Sequence, residues 1–63
     1  MSLKSLRAAS GFTQRELGER SGVNPIQIAN FERGARNIEN MPLKNAVALC
    51  DALGVKDLRR LLD

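Results

Sequence analysis

The chain has 63 residues, 43% of them hydrophobic, with ten lysines and arginines against seven aspartates and glutamates for a net charge of +3. A chain this short buries only about 60% of its unfolded surface and has room for one domain, which leaves little for a catalytic cleft. With no histidine and only Cys50 as a thiol, it excludes a zinc site and an internal disulfide, and it fits a reducing cytoplasm.

Taken in chain order, apolar spacing and punctuation predict five helices, over residues 2–10, 14–21, 25–33, 43–53 and 57–62. Gly11, Gly22, Gly34 and Gly54 follow helical stretches where a left-handed C-terminal residue is wanted. "FTQREL" sets Thr13 as N-cap with Glu16 three residues on, a capping box, and Phe12 with Leu17 as a hydrophobic staple. "VNPIQI" repeats this grammar. Asn24 caps, and Pro25 takes the first helical position, where its missing N–H costs nothing. Gln27 stands at the capping-box position, and Val23 and Ile28 form the staple. The fourth helix begins less cleanly, with Pro42 in its first turn and Asn40 as a candidate cap. Its apolar face is Leu43, Ala46, Val47, Leu49, Cys50 and Leu53.

At about 100° per residue, Ile28 and Phe31 define the inward side of the third helix. Ile26, Ala29, Asn30 and Arg33 fall opposite, with Pro25, Gln27 and Glu32 on the flanks. An outward isoleucine beside an amide and an arginine suits contact with another molecule. A lone surface apolar residue is the bland alternative. Two short helices joined by "SGVN", with small Gly18 and Ser21 on the first, fit a helix-turn-helix.

At this point the stretch "LRAASGFTQRELGERSGVNPIQIANFERG", followed by "ARNIENMPLKNAVALCDALGV", resembles the lambda-repressor-like, or xenobiotic-response-element type, family of bacterial and phage regulators. The specific part is the combination Thr13-Gln14, Glu16-Leu17, Gly22-Val23, Ile28 and Glu32 followed by Gly34. The resemblance implies an all-α, compact five-helix fold, with the third helix in the major groove and the second across the backbone. Carried over by position, Gln14 contacts phosphate and braces the third helix. Pro25, Ile26 and Asn30 fall at base-reading positions, and Asn24 and Gln27 touch backbone or base edges. Arg36 and Asn37 fall where phosphate is met. Arg7 and Glu32 match a pair that ties the first helix to the third, a structural salt bridge. Gly18 departs from the alanine usual in relatives, which allows a closer approach of the second and third helices at about 1 kcal/mol of helix propensity. Pro25 has no hydrogen bond to offer a base, and Ile26 offers only apolar contact, as to a thymine methyl, while an adenine edge suits Asn30.

Other positions carry two readings each. Arg15 reaches phosphate or is simply solvated. Arg33 reaches phosphate or serves the helix dipole. Thr13 caps, and its helix N-terminus offers N–H groups to a phosphate. Arg20, four residues after Glu16, makes an ordinary helix pair. Cys50 fills the core. In "VKDLRRLLD", Leu58 and Leu61 complete the core, and Leu62 is left for a second copy of the chain or frays with the terminus.

The expectation is one domain over residues 1–63 that binds double-stranded DNA, a cytoplasmic transcriptional regulator, a repressor acting as a homodimer on a palindromic operator. The alternatives are a repressor-like protein-interaction module and an antitoxin. No enzyme activity, cofactor or metal is expected. There is no apolar run of about 18 residues to span a membrane, and the first ten residues lack the apolar stretch of a secretory signal.

Overall fold

The computed structural model describes residues 2–62, as four α-helices and two 3-10 turns. The helices are α1 (Leu3–Ala9), α2 (Gln14–Ser21), α3 (Pro25–Glu32) and α4 (Leu43–Leu53). The first 3-10 turn, Ile38–Asn40, lies between α3 and α4, and the second, Leu58–Leu61, follows α4.

The starts follow local chemistry. Thr13 and Glu16 close the capping box at α2. The Glu16 N–H donates to Thr13 Oγ1 at 3.0 Å, and the Thr13 N–H donates to Glu16 Oε1 at 2.9 Å. Ser2 and Ser5 make a second reciprocal box at α1, which the sequence pattern concealed because serine stands where glutamate is usual. Asn24 caps α3 by accepting from the Ile26 N–H at 2.8 Å. Gln27 does not close a box there, because its side-chain oxygen accepts from Arg36 instead. Asn40 does not cap α4. It belongs to the first 3-10 turn, and Pro42 enters the helix extended, with no side-chain cap.

The helices are shorter than the spacing predicts at three ends, the first being the start of α1, where Ser2 is the N-cap. Residue 10 caps α1 rather than extending it, and Arg33 caps α3. The predicted fifth helix is a four-residue 3-10 turn. Asp57 initiates it by accepting from the Arg59 N–H at 3.0 Å, a local side-chain turn that competes with α-helix in so short a segment.

One core unites the elements: Leu3 and Leu6 from α1, Leu17 from α2, Val23 from the turn, Ile28 and Phe31 from α3, Leu49 and Cys50 from α4, and Leu61. Helix α2 packs on both α3 and α4, α1 packs on α3, and the second 3-10 turn packs on α4. Burial raises the Cys50 thiol pKa, helped by Asp51 and Asp57, so it stays a neutral core group. The sequence-predicted apolar face of α4 is too broad. Its inward arc runs through Leu49, Leu53, Ala46 and Cys50, and the rim residues Leu43 and Val47 remain 70% and 42% exposed. Leu58 also lies outside the core, while Leu61 is buried. Leu62 is 57% exposed, yet its backbone forms an antiparallel bridge with Ser2 that ties the two ends of the described chain together. No helix among the described residues is long and apolar enough to cross a membrane.

Candidate nucleic-acid interface

The geometry of α3 begins with the turn before it. Gly22 adopts φ 76°, a left-handed conformation that closes α2 and reverses the chain. Val23 is buried and anchors the reversal. Pro25 then seats its ring against Gly18 of α2. A Cβ at residue 18 would lie 2.6 Å from Pro25 Cγ and 2.9 Å from the Val23 carbonyl oxygen. The missing side chain is therefore what lets α2 and α3 approach this closely at the α3 N-terminus.

The far end of α3 is fixed by a polar cluster. Arg7 of α1 grips Glu32 in a fork, Nε to Oε2 at 2.7 Å and Nη2 to Oε1 at 3.0 Å. Its remaining arm donates to the Phe12 carbonyl oxygen at 2.8 Å. Gln14, at the start of α2, donates to Glu32 Oε1 at 3.1 Å. The two charged side chains are only 14% and 3% exposed. Burial pushes the Glu32 carboxyl up, but the hydrogen bonds from Arg7 and Gln14 and the charges of Arg7 and Lys4 outweigh it and hold the group below its ordinary value. The hydrogen bond to Glu32 raises the Arg7 pKa against the opposing effect of burial. One carboxylate thus joins α1, α2 and α3, and the interhelical angle of the α2–α3 pair is held at both ends.

Between these anchors α3 presents a defined surface. Ile26 is 69% exposed, two residues after the cap. Asn24 is exposed, and its side-chain oxygen is committed to the cap. Pro25, Gln27 and Asn30 are half-buried, and Arg33, Arg36 and Asn37 are exposed. Helical spacing put Ala29 and Asn30 outermost together with Ile26 and Arg33. The structure half-buries both, since Ala29 lines a depression with Lys4, Arg7, Gln14, Glu32 and Arg33. Asn30 Oδ1 accepts from Arg33 Nη2 at 2.8 Å, and Gln27 Oε1 accepts from Arg36 Nη1 at 3.1 Å. Sequence reasoning missed both pairings. The three-residue step from Asn30 to Arg33 was the available signal for the first, whereas Gln27 and Arg36 are nine residues apart and meet through the turn at Gly34.

The other sequence-predicted positions lie around this surface. Thr13 is exposed, but its N–H and that of Glu16 are occupied by the capping box, and the Glu16 carboxylate sits in the first turn. That leaves the N-terminus of α2 less open to a phosphate than its position implies. Hydrogen bonds from Thr13 hold the Glu16 carboxyl below its ordinary value, with a smaller effect of the Arg20 charge. Arg20 carries its guanidinium 4.5 Å from the centroid of Phe12, a cation–π contact that spacing alone did not reveal. Arg15 pairs with Glu19 at 3.3 Å, both well exposed, so the pair contributes at most about 1 kcal/mol and releases the arginine easily. Gln14 still has a second N–H beside the one given to Glu32. Leu62 shares a depression with Ile38, Glu39, Met41, Leu43, Leu58 and Leu61.

Two short helices in this geometry, with a left-handed glycine between them and the second presenting its N-terminal half, agree with the comparison to known families. A family model described as a helix-turn-helix domain matches residues 2–62. The chain belongs to this helix-turn-helix family. The match is consistent with the lambda-repressor-like group and points to double-stranded DNA binding and transcriptional regulation. Helix-turn-helix families of this kind are generally non-enzymatic. No curated protein and no solved structure matches the chain.

Proposed function

We propose that this helix-turn-helix protein is a sequence-specific regulator, a bacterial-type repressor acting in the cytoplasm, whose α3 reads the major groove of an operator. The observation that carries the reading is Ile26, a large apolar side chain left 69% exposed at the start of α3 and followed by Gln27, Asn30, Arg33 and Arg36. An apolar group reads a thymine methyl, and flanking amides and arginines supply hydrogen bonds to base edges and phosphates. Asn24 and Pro25 set the entry of α3 and lie against the same groove. Gln14, Thr13, Arg15, Arg33, Arg36 and Asn37 serve the phosphates on either side, and Arg7 with Glu32 positions α3.

The protein binds as a homodimer on a palindromic site, through the apolar surface around Leu62. Leu43, Val47, Leu58 and Leu62 are all exposed, and an apolar patch of this kind is a usual mark of a protein contact. The same patch also supports a second reading, in which the chain is an interaction module or antitoxin with a different protein partner there.

Binding selection from random duplex DNA at physiological salt tests the proposal. The expected result is an enriched inverted repeat with half-sites about one helical turn apart. Ile26→Ala should then lose preference at a thymine step. Weak binding without an enriched motif would reject sequence-specific regulation in favour of the protein-interaction reading.

A further inference from the structure

Two amides of α3, Gln27 and Asn30, pair with two arginines just beyond its end in a nested arrangement, Asn30 with Arg33 and, around it, Gln27 with Arg36. The outer pair is placed by backbone. Gly34 turns the chain at φ 79°, and the Arg36 N–H donates to the Asn30 carbonyl oxygen at 3.2 Å, folding Arg36 back over the helix. A guanidinium only donates hydrogen bonds. Each amide must therefore turn its oxygen toward its arginine and its NH₂ group away.

This orientation has a consequence for base reading. An asparagine or glutamine that recognises adenine in two-point fashion uses its oxygen to accept from N6 while its NH₂ group donates to N7. Here both oxygens are held by cations. One lone pair of each oxygen is taken by its arginine, and the positive charge beside it opposes the approach of a donor edge such as adenine N6 or cytosine N4. The groups turned away from the arginines are donors, and they match the acceptors of guanine O6 and N7 or thymine O4.

We infer that Arg33 and Arg36 are specificity-determining residues that lock Asn30 and Gln27 as hydrogen-bond donors, so that the protein selects guanine or thymine edges and rejects adenine at those positions. This replaces the adenine edge that spacing suggested for Asn30. The inference rests on the reading of α3 as the base-contacting helix. The guanidiniums have further N–H groups for phosphate, so each arginine links backbone contact to base choice.

Selection from random duplex DNA with wild type, Asn30→Ala, Arg33→Ala and Arg36→Ala tests it. Asn30→Ala identifies the base pair that Asn30 reads, as the position whose preference is lost. Wild type is expected to hold guanine or thymine there. Arg33→Ala is expected to shift that position toward adenine by about tenfold in relative affinity, the effect of one good base contact. Arg36→Ala should do the same at the position read by Gln27, and an unchanged melting temperature shows that both variants fold. An adenine preference in wild type, or a base preference unmoved by Arg33→Ala and Arg36→Ala, overturns the inference while DNA reading stands. A wild type that enriches no motif overturns DNA reading itself, and the inference with it.

Discussion

Adding a single methyl group at Gly18 tests how the reading helix is seated. On helix propensity alone, Gly18→Ala in the middle of α2 should stabilise the protein by about 1 kcal/mol. The structure opposes that gain. The new carbon would lie 2.6 Å from Pro25 Cγ and 2.9 Å from the Val23 carbonyl oxygen, whereas carbon atoms in good contact sit about 3.5–4.0 Å apart. Neither neighbour is the free end of a flexible chain, so α2 and α3 must separate by about 1 Å. Overpacking of this kind costs about 1–3 kcal/mol. The net change is a loss of about 0–2 kcal/mol, or up to about 15 °C in melting temperature for a domain this small. Pro25→Ala in the Gly18→Ala background removes the ring contact but not the carbonyl contact. A double-mutant cycle by thermal and urea denaturation should therefore show a favourable coupling of about 1 kcal/mol. Stabilisation of Gly18→Ala by its full propensity gain, with no coupling to Pro25, would refute the account of how α3 is placed.

Two further predictions concern the polar cluster and the apolar surface. Glu32→Gln should lower the melting temperature at neutral pH by roughly 10 °C, since hydrogen bonds to a charged group contribute about 1.5–3 kcal/mol. Because the folded-state pKa of Glu32 is depressed, its contribution is fully present above the unfolded carboxylate value of about 4.3 and is lost as pH falls through the folded value. Wild type should thus lose stability on acidification, and Glu32→Gln should show a flatter profile. An unchanged melting temperature for Glu32→Gln would remove the cluster as a determinant of the fold. Leu62→Glu, at a side chain already 57% exposed, should leave the monomer's melting temperature within a few degrees yet abolish dimers in sedimentation, alone or on a palindromic duplex. Dimers that survive Leu62→Glu place the contact elsewhere.

The parts of the fold legible in the sequence are those written in neighbouring residues. Thr13 with Glu16 and Asn24 with Pro25 each satisfy backbone groups within three positions, so α2 and the start of α3 follow from local chemistry. Exposure of Ile26 followed from helical spacing. The same spacing misplaced Ala29 and Asn30, because whether a side chain is covered depends on α1 and on Arg33. It also misplaced Leu43, Val47 and Leu58, since periodicity marks an apolar face without saying how wide a neighbour covers it.

The sequence by itself determined the four α-helices, the turn at Gly22, the amides of α3 and the arginines that follow it. These rest on caps, steric freedom at glycine and apolar spacing, all short-range. Only the tertiary structure decided that Pro25 fills the space left by Gly18 and that the last leucines form a 3-10 turn, whereas the ties from Arg7 and Gln14 to the third helix were already implied by the family resemblance and meet at Glu32. It also decided that Arg33 and Arg36 take the oxygens of Asn30 and Gln27. Each of those outcomes depends on where a side chain ends in space. Chain order constrains that weakly until the core around Leu17, Ile28 and Leu49 has fixed the helices against one another.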